Sequence, residues 1–184
     1  GSLTCANTDA EAAVRSLALG MGKLPAELSG ARVAVFGAGG VARAVTCGLL
    51  EVGAKVVIFN RTKSRAEAIQ NDFEADGDIS VGGEFDAAAV SEFDAIINGT
   101  SVGMVGGDAA DQSILPRSVR LHDSITVMDT VYTPRMTPLL IKAESDGARI
   151  IDGSAMFIAQ AEAQFEIWTG MTAPQGLFGS VLSP

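Results

Sequence analysis

Arg32-Val-Ala-Val-Phe-Gly-Ala-Gly-Gly-Val-Ala42 is the stretch whose reading decides the fold. Its first five residues form a short apolar, β-branched run that ends in glycine, as expected of a strand buried in a parallel sheet. From Val41 the apolar positions Val41, Ala44, Val45, Gly48 and Leu49 recur at three and four, which is helical spacing, and Gly53 stops that helix. Lys55-Val-Val-Ile-Phe59 then reads as a second strand. Strand, glycine-rich turn, helix and strand in this order make one right-handed crossover unit.

Working outward, Ser64 to about Phe73 reads as a helix capped by Thr62, whose hydroxyl can accept a bond from a free backbone N–H. Phe93-Asp-Ala-Ile-Ile97 and Ile125-Thr-Val-Met128 read as further buried strands, Arg149-Ile-Ile151 as the last, with helices between them. This alternation predicts an α/β fold, a Rossmann-like, doubly wound, mainly parallel sheet with helices on both faces. Two helical segments fall outside the repeating pattern, Asp9 to about Leu19 and Ser154 to about Thr169. The whole chain, 1–184, is expected to form one domain that begins with a helix rather than a strand.

Composition agrees. A chain of 184 residues that is 47% hydrophobic and 19% charged has material for one ordinary core. Its formal net charge of -9 argues against nucleic acid as the main partner, because binding a phosphate backbone needs a broad basic face. No run of about 18 apolar residues is available to span a bilayer, and Gly1-Ser-Leu-Thr-Cys-Ala-Asn7 has none of the features of a signal peptide. A cytoplasmic protein without a membrane partner is expected, and Gly1-Ser2 is compatible with an expression scar. Cys5 and Cys47 lack CxxC spacing, so neither a disulfide framework nor a zinc site is suggested, and both are expected to be reduced. His122 is the only histidine and has no catalytic motif around it, which excludes histidine-rich metal sites; it reads as a surface loop residue, and no metal is expected. Asp108 and Asp111 fall in a glycine-rich loop that reads as solvated.

The chemistry is concentrated at the strand ends. Gly37-Ala38-Gly39-Gly40-Val41-Ala42 meets the dinucleotide fingerprint at its first two glycines, with Ala42 in the third place, where alanine is allowed. Gly37 permits the tight turn, Gly39 lets the backbone approach a pyrophosphate, and Ala42 lets the helix lie close to the strand. Free N–H groups at the helix start then face the negative charge. A strand in the position of Lys55–Phe59 ends in Asp or Glu when the ligand is NAD, because a carboxylate accepts the ribose hydroxyls. Here the end is Asn60-Arg61-Thr62, and Arg61, Lys63 and Arg65 place three cations within five residues. A carboxylate would repel the extra phosphate of NADP, whereas guanidinium groups can fork onto it. At about 1.5–3 kcal/mol for each charged hydrogen bond, NADP should be preferred over NAD by roughly two orders of magnitude. The alternative is a solvated helix start with ordinary surface charges, although cations there oppose the helix dipole.

Later segments are more specific. Asn98-Gly-Thr-Ser-Val-Gly-Met104, Met128-Asp-Thr-Val-Tyr-Thr-Pro-Arg-Met-Thr-Pro-Leu-Leu140 and Asp152-Gly-Ser-Ala-Met-Phe-Ile-Ala-Gln160 resemble the shikimate dehydrogenase family. The glycine turn and the Asn-Arg-Thr segment agree in order and spacing. The tail Trp168-Thr-Gly-Met-Thr-Ala-Pro-Gln-Gly-Leu-Phe178 is similar to that of the bifunctional dehydroquinate dehydratase/shikimate dehydrogenases. A shared glycine turn alone would leave room for glutamyl-tRNA reductase; the later segments do not.

The resemblance implies an NADP-binding domain from an enzyme that reversibly reduces 3-dehydroshikimate to shikimate. It implies that Asn7-Thr8-Asp9 marks the edge of a substrate domain and that Asp9 is half of a Lys/Asp pair that binds substrate and assists proton transfer. The family lysine lies upstream of this motif, so most of an N-terminal substrate domain is expected to be missing, with residues 1–20 and about 153–184 at its edge. Without the resemblance, Thr8 and Asp9 read as caps of the first helix. By resemblance Gln160 and Tyr132 reach the substrate, Thr100, Ser101, Val102 and Thr130 lie near the cofactor, and Gly153 and Met156 flank the nicotinamide. A methionine on an apolar helical face also reads as core, an exposed helical amide fits Gln160, and a packing residue fits Tyr132. Gly99 replaces the family's usual alanine or threonine and is expected to loosen its loop. Isolated, the chain is expected to bind NADP with little turnover of shikimate. A stand-alone NADP(H)-binding module and a quinate dehydrogenase are the alternatives.

Overall fold

The computed structural model describes residues 6–181, except for the side chains of Ala87 and Val181. Cys5 and Gly1-Ser2 lie outside the described residues. The six strands are β1 (Arg32–Phe36), β2 (Lys55–Phe59), β3 (Ile79–Val81), β4 (Ala95–Asn98), β5 (Thr126–Asp129) and β6 (Arg149–Ile151). They form one sheet in the order β3-β2-β1-β4-β5-β6, with every neighbouring pair parallel. The helices are α1 (Thr8–Gly20), α2 (Gly40–Glu51), α3 (Lys63–Phe73), α4 (Ala87–Val90), α5 (Pro138–Ser145) and α6 (Gly153–Thr169). The chain winds outward from β1 to β3, then returns across the sheet to β4. The gap between the carboxyl ends of β1 and β4 is therefore the switch point at which such sheets bind ligands.

The central strands are buried on both sides, and their side chains alternate between two cores. Val33, Val35, Val56, Ile58, Ala95, Ile97 and Met128 pack with α1, α2, α3 and α6 residues such as Leu17, Val45, Ile69 and Met156. Ala34, Phe36, Val57, Phe59, Ile96 and Val127 face the other way, onto Leu139, Leu140 and Ala143 of α5. Phe36 and Phe59 are partners in the β1–β2 register and stack at 5.1 Å, with Phe85 edge-on to both.

Strands β1, β2 and β6 occupy the residues expected of them. The next two are displaced toward polar residues: β4 gains Asn98 and leaves out Phe93, and β5 gains Asp129 and leaves out Ile125. Apolarity marks burial, but the ladder runs until its last paired residue, and Asn98 and Asp129 are register partners. β3, an edge strand in which Ser80 interrupts the apolar residues, was not foreseen. Two capping expectations also fail. Thr62 occupies the N-cap of α3, yet its hydroxyl accepts no bond. α1 is capped by neither Thr8 nor Asp9 but by Asn7, whose side chain accepts the Asp9 N–H at 3.0 Å. α1 itself packs on α2 and α6. Gly48 permits the first contact, since a Cβ there would lie 2.7 Å from the Ala10 carbonyl oxygen.

Candidate functional site

The first wall of the switch-point cleft is built by β1 turning into α2. Gly37 adopts φ +116°, and a Cβ on it would lie 2.8 Å from the Gly99 carbonyl oxygen, so both backbone angle and space demand glycine. Ala42 is fully buried and packs against Gly99, which lets α2 start close to the sheet. Gly39 caps α2 with no side chain, so the amides of the first turn have no side-chain acceptor. A Cβ at Gly39 or Gly40 meets nothing within 4 Å: any side chain there would stand in the open cleft. Bare amides, a helix start and free space suit the pyrophosphate of a dinucleotide.

The opposite wall comes from the loops after β4 and β5. The cleft, about 450 Å³, is lined by Gly39, Gly40 and Val41 on one side. Gly99, Thr100, Ser101, Met104 and Val105 follow from the β4 loop, and Thr130, Val131, Tyr132 and Thr133 from the β5 loop. Thus Gly39, Gly40, Val41, Thr100, Ser101, Thr130 and Tyr132 are brought together in one cleft. Gly99 departs from expectation. A Cβ there would lie 3.1 Å from Ala42 Cα and from the Phe36 carbonyl oxygen, so the missing side chain admits close packing rather than loosening the loop.

Beneath the β4 and β5 loops lies a buried polar network. Asp129 is fully buried and accepts bonds from Asn98 Nδ2 (2.9 Å), the Val131 N–H (2.9 Å) and Thr137 Oγ1 (2.7 Å). Burial pushes its carboxyl pKa up, and the three hydrogen bonds oppose that shift without cancelling it. Asn98 in turn donates to the Val102 carbonyl at 3.1 Å and accepts from the N–H and hydroxyl of Thr100 at 3.0 and 2.7 Å. Its own carbonyl accepts the Thr130 hydroxyl at 2.8 Å. Asn98, Asp129 and Thr137 were not singled out by sequence reasoning. The available signal was a polar residue closing each of two apolar runs.

On the β2 side, Arg61 and Arg65 are exposed, and neither has an ion-pair or hydrogen-bond partner for its side chain among the described residues. Lys63 is engaged by Glu67 at 3.5 Å. Asn60 Nδ2 donates to the Thr62 carbonyl, which shapes the turn into α3. Two free guanidinium groups thus flank a helix start that has no side-chain cap.

Tyr132 contacts Phe157 of α6 with centroids 4.9 Å apart, and Arg135 Nη2 pairs with Asp152 Oδ2 at 2.9 Å, which fastens the β5 loop to α6. Burial raises the Asp152 carboxyl, but its bonds from Ser154 and Arg135 outweigh this and lower it overall. Gly153 is buried against the Val131 carbonyl, where a Cβ would lie 2.4 Å away. Met156 is 5% exposed and belongs to the core, its alternative reading. Asp9 and Gln160, half-buried on α1 and α6, do not line this cleft. The helices carrying them pack together, with Gln164 Nε2 donating to Thr8 Oγ1 at 3.3 Å. His122 meets Ser124 at 2.8 Å in the turn before β5, and Asp108 and Asp111 are exposed as expected.

A parallel sheet in this order, with a glycine turn and bare helix start at its switch point, defines a dinucleotide-binding α/β domain. Two family models match the chain, Shikimate / quinate 5-dehydrogenase over residues 18–105 and Shikimate 5'-dehydrogenase C-terminal domain over residues 153–178. The chain belongs to the shikimate dehydrogenase family. It is 39% identical over 181 residues to a shikimate dehydrogenase (NADP(+)) of Geobacter metallireducens, an alignment covering 93% of this chain and 60% of that one. It is 37% identical over 164 residues to the chloroplastic bifunctional 3-dehydroquinate dehydratase/shikimate dehydrogenase of Arabidopsis thaliana, covering 85% of this chain and 25% of that one. The solved shikimate 5-dehydrogenase of Listeria monocytogenes, in complex with shikimate and NAD, superposes with a TM-score of 0.83 at 28% identity, over 96% of this chain and 62% of that one. The chain spans roughly three-fifths of the length of the single-function relatives it matches.

Proposed function

We propose that this chain is the NADP-binding part of a shikimate dehydrogenase. The observation that carries the reading is the end of β2, where Asn60-Arg61-Thr62 stands in place of a carboxylate and Arg61 and Arg65 have no side-chain partner among the described residues, beside an uncapped helix start. The bare amides of α2 receive the pyrophosphate, and the β4 and β5 loops wall the cleft beyond it. Bound NADPH supplies a hydride to the ketone carbon of 3-dehydroshikimate. An alkoxide formed by such a transfer needs a proton donor within hydrogen-bond reach, and Asp9, with a lysine from a substrate domain, is proposed to serve this proton transfer. Tyr132 and Gln160 are proposed to bound the substrate. The Geobacter relative's name specifies NADP(+), which agrees with the cations.

The test is calorimetric titration with NADP+ and NAD+ at two salt concentrations. NADP+ should bind tighter by roughly two orders of magnitude, with the advantage shrinking in high salt. Arg61→Ala and Arg65→Ala should each erode that advantage while sparing NAD+ affinity. Equal affinity for the two coenzymes would overturn the NADP assignment. The 184 residues by themselves should turn over little or no shikimate; detectable shikimate-dependent NADPH formation by the pure chain overturns that second part. Joined to a substrate domain, the chain should oxidise shikimate, and comparison with quinate separates the two substrates covered by the matched family model.

A further inference from the structure

Of the twelve residues that line the cleft, nine belong to the β4 and β5 loops, and both loops are held from below by the same carboxylate. Through Asn98, Asp129 reaches Thr100 and Val102 of the β4 loop. Through the Val131 N–H and the Thr137 hydroxyl it holds both ends of the β5 loop. The Val105 N–H donates to the Thr133 carbonyl at 3.0 Å, so the loops are also joined at the cleft rim. Thr137 accepts the Leu140 N–H at 3.3 Å and caps α5, which anchors the network to a helix.

We propose that Asp129 is a positioning residue for the coenzyme site: its buried carboxylate sets the spacing of the two loops that wall the cleft before any ligand arrives. The proposal rests on the reading of this cleft as an NADP site. A loop already ordered need not be ordered on binding, so loss of the anchor is read as weaker binding by a protein that is still folded. The chemistry of the anchor is specific. An ionised carboxylate has acceptor capacity for all three donors, whereas an unpaired buried polar group is costly.

The experiment compares the unmodified chain with Asp129→Asn, Thr137→Val and Thr137→Ser, all well below their melting temperatures. NADP+ and adenosine 2',5'-bisphosphate are titrated by calorimetry, and amide hydrogen exchange is followed. The bisphosphate carries the 2'-phosphate and a 5'-phosphate, so it probes the Arg61–Arg65 turn and the start of α2, and it lacks the nicotinamide half of the coenzyme. Asp129→Asn and Thr137→Val should weaken NADP+ about tenfold, leave the bisphosphate within about twofold, and speed exchange at Thr100–Val105 and Val131–Thr133. Thr137→Ser, which keeps the hydroxyl, should restore NADP+ affinity. Unchanged NADP+ affinity in Thr137→Val, whatever its melting temperature, overturns the proposal, and so does equal weakening of both ligands. Failure of the unmodified chain to bind either ligand overturns the coenzyme reading itself and the proposal with it.

Discussion

Gly37 shows how strictly a single residue can be specified. At φ +116° an L side chain is strained, and a Cβ would press on the Gly99 carbonyl oxygen at 2.8 Å. Gly37→Ala is expected to cost about 1–3 kcal/mol in stability and to lose NADP+ binding, measured by denaturant titration and calorimetry. The fingerprint made this residue legible, because the demand for glycine is local to the turn. Thr126 is the opposite case. Its hydroxyl is buried in β5 without a partner among the described residues, something only the packed sheet reveals. Thr126→Val keeps the β-branched shape and removes the unsatisfied group, so thermal unfolding should shift upward, with a gain of about 1 kcal/mol. Met156 is a lesson of the same kind: the resemblance implied a place beside the nicotinamide, its apolar helical face suited a core, and the folded chain buries it in the core.

At the scale of elements, the termini of helices carry most of the information. α2 and α3 start without a side-chain cap, while α1, α5 and α6 are capped by Asn7, Thr137 and Asp152. Asp146 closes the far end of α5. Its side chain is 2% exposed and accepts Lys142 Nζ at 2.6 Å, Arg120 Nη1 at 2.8 Å and the Leu121 N–H at 3.1 Å. Desolvation raises its pKa, but these bonds outweigh it and hold the carboxyl at about 2, below its ordinary 3.8. Because the folded value is the lower one, the unfolded chain takes up the proton first as pH falls. The stabilisation is present above about pH 4 and lost toward pH 2, an effect on the order of 2 kcal/mol. Denaturant unfolding between pH 5 and pH 2 should show this loss, and Asp146→Asn should be less stable at pH 5 with a flatter profile. Sequence inspection could not pair Asp146 with Arg120, since 26 residues and the whole of β5 separate them.

For the whole molecule, the position of the switch point is decisive. Because β1 lies between β2 and β4, the glycine turn, the Arg61–Arg65 turn and the β4 loop all open at one edge of the sheet. A fusion of this chain to a substrate domain should oxidise shikimate, measured by NADPH absorbance, where the chain alone is expected to show little or no turnover; a fusion that binds NADP+ but stays inactive would count against the proposed role of Asp9. By itself the sequence determined the α/β class, the β1–α2–β2 unit, the glycine turn and the unusual cations, because each rests on residues a few positions apart. Only the tertiary structure decided that Asn98 and Asp129 are register partners, that Thr137 meets Asp129, that Gly99 is tightly packed and that Asp9 and Gln160 stand apart from the cleft. The physical reason is that backbone conformation is governed by near neighbours, whereas strand order brings together residues 31 apart, as in the Asn98–Asp129 bond. No local periodicity encodes which polar residue will close that buried pairing.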